Sequence, residues 1–244
     1  MKTIAFHVEK GGTGKTTMSG NMAAVLSSMG KRVLLVDADP QGNLSSWFIT
    51  TGIKFDLCDV LQGKADLKDS IINIKDGLDI IGTVAIDGEL KEWSETTLFQ
   101  KPYAFPDLLD QVKALNYDYC IFDLSPGISN LEKSILSNVN EVVGVLSAEF
   151  FSLDGLEIFE NELNKLRKDR RATFTADKII INRVNKAYTL HKSYLTEIEK
   201  LKYTTFTIGQ NTAISDSVPA HLSLLDFDSS NKYIPELQRI AEVL

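Results

Sequence analysis

Residues 3–17 read TIAFHVEKGGTGKTT, and this stretch decides the fold. Thr3 to Val8 is a short apolar, β-rich run, and Gly11, Gly12 and Gly14 follow it directly. Lacking a Cβ, such glycines let successive backbone N–H groups turn inward around phosphate oxygens, and a helix starting near Lys15 adds the positive end of its dipole. Lys15 is then placed to neutralise the outer phosphates, and the Thr16 hydroxyl to ligate Mg2+. The stretch fits G-x-x-x-x-G-K-[ST] only in bent form, because Lys10 stands in the neighbourhood of the first glycine. The loop therefore holds two lysines where an ordinary phosphate loop needs one.

Beyond this loop, short apolar runs alternate with helix-length segments: Arg32 to Val36, Tyr119 to Asp123, Glu141 to Leu146, Lys178 to Asn182 and Thr204 to Ile208. The alternation predicts βαβ units, hence an α/β, doubly wound and mainly parallel sheet with helices on both faces, as a single domain over residues 1–244. Ligands of such sheets collect beyond the carboxyl ends of the strands, which directs attention to Asp37 to Asn43, Asp123 to Gly127, Asn182 and Gly209 to Asn211. Ala85 to Phe105 has the weakest periodicity and reads as a surface excursion that could join a partner surface. Near the C-terminus, Tyr233, Leu237, Ile240, Ala241 and Leu244 share one apolar stripe, which predicts a core-packing helix.

The bulk numbers are those of an ordinary globular chain: 244 residues, 43% hydrophobic and 24% charged, with no low-complexity stretch that would argue disorder. No apolar run approaches a membrane span, and the first strand leaves no room for a signal peptide, so a cytoplasmic protein is expected. Cys58 and Cys120 have no metal-ligand spacing, and Cys120 reads as a buried strand residue. The net charge of −7 argues against a general nucleic-acid coat. Yet Lys165 to Lys202 holds eleven Lys/Arg against four Asp/Glu, an excess of seven, so the remainder stands at −14. Such a segment can hold a polyanion, or it can be a solvated helix pair.

The motif KGGTGKTT (residues 10–17) resembles the deviant Walker A loop of the ParA/MinD family, whose extra lysine is its signature, and the similarity continues along nearly the whole chain. The short, Soj-like ParA proteins without an N-terminal helix-turn-helix are the nearest in pattern. The resemblance implies that ATP and Mg2+ are the cofactors, cradled by Lys10, Gly11, Gly12, Thr13, Gly14, Lys15, Thr16 and Thr17. It implies that Lys10 reaches across a dimer interface to the partner's phosphates, as an arginine finger does. VDADPQGNLSSW (36–47) is similar to the family's second motif: Asp39 would position the attacking water and Asp37 would sit near the metal, although D-x-D-P-x-G is also a turn sequence. YDYCIFDLSPG (117–127) resembles the Walker B strand, with Asp123 holding Mg2+ through water and Ser125 replacing one of two usual prolines. LSAEFFSLDGL (146–156) is similar to the segment beside the dimer interface, which makes Glu149 a nucleotide or partner contact, or simply part of a strand-to-helix passage. KIIINRVN (178–185) would offer Asn182 to the adenine edge, and Gly209, Gln210 and Asn211 would close over the base, in place of the Pro-Arg of many relatives.

Taken together, the resemblance implies a slow, partner-stimulated ATP hydrolase of the ParA type. ATP would build a homodimer that binds DNA without sequence preference, and a ParB-like centromere-binding protein or a cargo adaptor would trigger hydrolysis and release. Ala213 stands where relatives carry a DNA-contacting arginine, which leaves Lys165, Arg167, Lys168, Arg170, Arg171, Arg183 and Lys186 as the candidate phosphate contacts. The protein would be cytoplasmic and nucleoid-associated. A MinD-like ATPase that positions a protein complex or membrane-associated cargo is the alternative, but the C-terminal helix lacks the basic face of a membrane-surface helix, so no direct membrane binding is expected. A metabolic ligase or reductase would leave Lys10 without a purpose.

Overall fold

The computed structural model describes residues 1–148 and 152–244, with the backbone alone for Ser152, Leu153, Asp154 and Glu199. Among these residues eight strands form one sheet: β1 (Lys2–His7), β2 (Val33–Ala38), β3 (Ile71–Lys75), β4 (Leu78–Ile81), β5 (Tyr119–Leu124), β6 (Glu141–Ser147), β7 (Thr175–Val184) and β8 (Thr204–Gly209). Their order is β3-β4-β2-β5-β1-β6-β7-β8, parallel throughout except for the β3–β4 pair. The carboxyl ends of β1, β2 and β5 therefore meet at the middle of the sheet, where the chain first winds one way and then the other.

Helices cover both faces. On one lie α1 (Lys15–Ser28) and α2 (Asn43–Phe48), with α9 (Thr212–Ser217), α10 (Leu224–Phe227) and α11 (Ile234–Val243). On the other lie α3 (Leu57–Gln62), α4 (Leu90–Thr96), α5 (Ala104–Lys113), α6 (Asn130–Leu136), α7 (Ser152–Arg170) and α8 (Thr189–Glu199). Alternation within the strands feeds the two cores: Ile4 and Phe6 face the α1 side, whereas Ala5 faces the α5 and α7 side. A strand buried on both faces reads as a continuous apolar run, which is why β1, β2 and β5 were visible in the sequence. Helix α1 is buried over most of its circumference, and Gly20 lets it lie against α2, since a Cβ there would fall 2.5 Å from the Trp47 ring. Of the C-terminal stripe, Leu237, Ile240, Ala241 and Leu244 are buried against this layer, as its periodicity predicts, while Tyr233 is half-buried and Ile234, outside the stripe, is buried beside them.

One element went unread and one expectation needs correction. The antiparallel β3–β4 hairpin went unread, although IINIK-DG-LDII carries the Asp-Gly turn signal, and Gly77 has the positive φ (73°) that such a turn demands. The stretch 85–105 is more than a surface excursion: Leu90, Trp93, Leu98 and Phe105 are buried in the core, and only Ile86, Phe99 and Tyr103 among its large apolar side chains face outward. Cys58 and Cys120 are both buried free thiols. Among the described residues no helix is long and apolar enough to cross a membrane.

Candidate active site

The phosphate loop joins β1 to α1 through two left-handed glycines, Gly12 (φ 75°) and Gly14 (φ 98°), a region that costs other residues dearly. Gly14 is also the N-cap of α1 and has no room for a side chain, since a Cβ would lie 2.2 Å from Asn182 Nδ2. That same Asn182 nitrogen donates to the Thr13 carbonyl at 2.9 Å, so Asn182 backs the loop from β7. Lys15 is buried and bends over the loop, its Nζ donating to the Lys10 carbonyl at 3.3 Å. Burial lowers its pKa, and the nearby carboxylates of Asp123, Asp39 and Glu132 oppose that shift, which places three acids within electrostatic reach of one ammonium. Lys10 lies exposed on the same loop.

Three aspartates end the neighbouring strands. Asp123, fully buried at the end of β5, accepts from Ser19 Oγ at 3.1 Å through Oδ1 and from the Thr16 hydroxyl, while its Oδ2 has no hydrogen-bond partner. Burial raises its pKa, and the charge of Asp37 alongside raises it further. A buried carboxylate oxygen without a donor, next to a threonine hydroxyl, fits a hydrated Mg2+. Among the described residues no three His, Cys, Asp or Glu side chains form a protein-only metal cage. Mg2+ keeps waters and takes one or two protein ligands plus phosphate oxygens. Asp37, expected near the metal, is instead occupied: Oδ2 accepts from Ser45 N (2.7 Å) and Ser45 Oγ (2.6 Å), and Oδ1 from Asp39 N (3.2 Å). Asp39, nearly buried, is oriented by Gln41 N, which donates to its Oδ1 at 2.9 Å, and burial raises its pKa.

A cavity of about 620 Å3 gathers Gly12, Gly14, Lys15, Thr16, Thr17 and Asp39. It also takes in Gln41, Asn43 and Pro126, from strand-end loops that the sequence pointed to, and Pro219 and His221, which sequence reasoning passed over. Glu132 was missed as well; its carboxylate, capping α6 and accepting from Ser125 Oγ and Ser129 N, sits within the field of Lys15 and Asp39. The S-x-x-E capping-box spacing at Ser129 was the available signal.

Several candidates fall elsewhere. Arg183, placed in the sequence with the DNA contacts, has a left-handed backbone (φ 57°) at a register shift in β7 and lines this cavity. Gly209 and Gln210 line a separate cavity of about 820 Å3 with Lys186, Lys232 and Tyr233. Asn211 is spent on capping α9, its Oδ1 accepting from Ala213 N at 2.8 Å. Glu149 lies outside the described residues. Lys165, Arg167, Lys168, Arg170 and Arg171 are exposed at the end of α7. Because α7 runs back antiparallel to β6, they sit at the opposite end of the sheet from the phosphate loop. The basic segment is thus divided over three places, and its Lys178 is an ion-pair partner of buried Glu141.

Residues 1–176 match the model of a family described as AAA domain. An uncharacterized Borreliella burgdorferi protein, BBD21, is 35% identical over the whole of this chain and 99% of its own length. The sporulation initiation inhibitor protein Soj of Bacillus subtilis is 31% identical, over 90% of this chain and 88% of Soj. Among solved structures, a plasmid partition protein of Borrelia burgdorferi bound to AMPPNP superposes with a TM-score of 0.82 at 26% identity, over 99% of this chain and 97% of that one.

Proposed function

Because this chain belongs to the ParA/MinD family of ATPases, we propose that it is a partition ATPase whose ATP-bound homodimer holds DNA and lets go of it on hydrolysis. One observation carries the reading: Lys15, Asp39 and the unpartnered oxygen of Asp123 surround one glycine loop at the meeting point of β1, β2 and β5. Lys15 and the loop amides hold the outer phosphates, and Asp39, oriented by Gln41 N, holds the attacking water. Thr16 and Asp123 would hold Mg2+, which supplies charge neutralisation at the phosphates when bound. Lys10 completes the partner's site, so occupancy by ATP and dimerisation become one equilibrium.

The names of the relatives support a partition role, since the similar structure is that of a plasmid partition protein and Soj-type proteins are named for chromosome partitioning. The exposed basic turn at the end of α7 supports contact with DNA phosphates, and a dimer carries two such turns. A centromere-binding partner protein would set the hydrolysis rate. The test uses the Asp39→Ala protein, which is expected to dimerise with ATP while losing stimulated turnover. Its binding to a long non-specific duplex, with ATP, with ADP and at two salt concentrations, is expected to be ATP-dependent, salt-sensitive and weakened by neutralising Arg167, Lys168, Arg170 and Arg171. An unmutated turnover rate in Asp39→Ala removes the catalytic assignment. Absence of DNA binding in every state moves the cargo to a protein complex.

A further inference from the structure

We propose that Asp37, Ser45 and Thr83 form a positioning brace for Asp39, and that Asp37 serves the reaction through this brace rather than as a metal ligand. The proposal rests on the ATPase reading above but is built from a separate set of contacts. Three elements meet in it: the end of β2, the first turn of α2 and the chain leaving β4.

The hydrogen bonds close on themselves. Ser45 Oγ gives its one proton to Asp37 Oδ2 (2.6 Å) and accepts from Thr83 N (2.7 Å). Thr83 Oγ1 gives its proton to the Asp37 carbonyl (2.6 Å), and Asp37 Oδ1 takes the Asp39 amide. All three residues are buried, so each unmade bond would cost the full desolvation of its group, and the arrangement has one satisfied form. The other end of the loop is held too. Gly42 N donates to Asp39 O at 2.9 Å, and Gly42, at φ 60°, packs so closely that a Cβ would lie 2.8 Å from Thr83 O. Asp39 is therefore suspended between two anchors that both reach the exit of β4.

A D-P-x-G turn closes without any buried polar trio. What the trio adds is a fixed relation between the turn and two other elements, and hence between Asp39 and the phosphate loop. Displacing a water-positioning group by about 1 Å costs on the order of 100-fold in rate, so loosening one strut of the brace is expected to cost about tenfold.

The experiment compares Thr83→Val, Thr83→Ser and Ser45→Ala with the unmutated full chain. It measures kcat, KM for ATP, half-saturating Mg2+, and amide hydrogen exchange at Asp39 and Ser45. Thr83→Val keeps shape but loses the donor; it is expected to lower kcat about tenfold, to leave KM and the Mg2+ midpoint within about twofold, and to speed exchange at both amides. Thr83→Ser restores all of these, and Ser45→Ala reproduces the loss if Thr83→Val fails to fold. Unchanged kcat with unchanged exchange overturns the proposal, as does a Mg2+ midpoint that rises in step with the fall in kcat. Should the unmutated protein bind nucleotide without turning it over, the ATPase reading fails, and the exchange rates alone decide: faster at Asp39 and Ser45 in Thr83→Val supports the brace, unchanged rejects it.

Discussion

Asp37 and Asp123 are neighbours in register at the ends of β2 and β5, both fully buried, both pushed by burial toward a higher pKa. Residue type, depth and place on the sheet are the same. Their donors are not. Asp37 is surrounded by N–H and O–H groups of its own β2–α2 connection, which place a donor on each of its carboxylate oxygens; Asp123 meets two hydroxyls of α1 on one oxygen and nothing on the other. The difference teaches that a carboxylate's role is set by how many donors the fold supplies. The satisfied one can hold structure, and the unsatisfied one is left to take a water or an ion.

The strongest way to break this comparison is to remove both charges in turn. Asp123→Asn is expected to reduce ATP turnover at least about 100-fold, the scale seen when a preorganised electrostatic group is deleted. In the nucleotide-free protein the same change should leave thermal stability equal or higher, because it removes a buried carboxyl whose ionisation the fold opposes and whose second oxygen is unmet. Asp37→Asn should behave in the opposite sense. Its amide would turn a donor toward Ser45 or Asp39 donors, costing about 3 kcal/mol in urea denaturation without nucleotide, and its Mg2+ midpoint should stay put. Matching profiles for the two variants, whether in stability or in Mg2+ dependence, would erase the distinction.

What the sequence made legible follows the same logic. Gly12, Gly14, Lys15 and Asp123 announce themselves because strand, glycine turn and helix arrive in a fixed order, and local geometry then places them with little freedom. Strands buried on both faces are equally plain. The brace was hidden, because Ser45 and Thr83 are 38 residues apart and a serine or threonine looks alike whether it faces water or a carboxylate. Arg183 was counted with a basic stretch, whereas a register shift and a left-handed backbone place it at the cavity that holds Gly12, Gly14, Lys15 and Asp39. Charge along a chain does not predict charge on a face when a strand end, a helix and a sheet edge divide it. Asn211 shows the limit of motif reading, since a residue expected to meet a base is engaged at the start of α9.

The smallest effect sharpens the comparison with a third buried titratable group, His7, one residue beyond Phe6, which pairs in register with Asp123. His7 is fully buried near the Phe159 ring, and neither ring nitrogen has a hydrogen-bond partner. Burial, with a smaller contribution from Lys15, lowers its pKa to about 3. The unfolded chain takes up that proton near pH 6.5 and the folded chain does not, so His7 leaves stability intact above pH 6.5 and erodes it as the pH falls toward 3. Between pH 7 and pH 5 the loss is about 2 kcal/mol. The two aspartates act in the other direction: their raised pKa values mean that the folded protein holds protons which the unfolded chain has released, so they erode stability as the pH rises from the ordinary carboxylate range through their folded values. Between pH 5 and pH 7 the two slopes therefore oppose each other: His7→Leu is expected to raise stability at pH 5 relative to pH 7 by about 2 kcal/mol compared with the unmutated protein, and Asp123→Asn to lower it. Urea denaturation of the nucleotide-free protein at pH 5, 7 and 8 reads both. An unchanged difference in stability between pH 5 and pH 7 in His7→Leu would mean that His7 finds a partner for its proton, and that its unpartnered state differs in kind from that of Asp123.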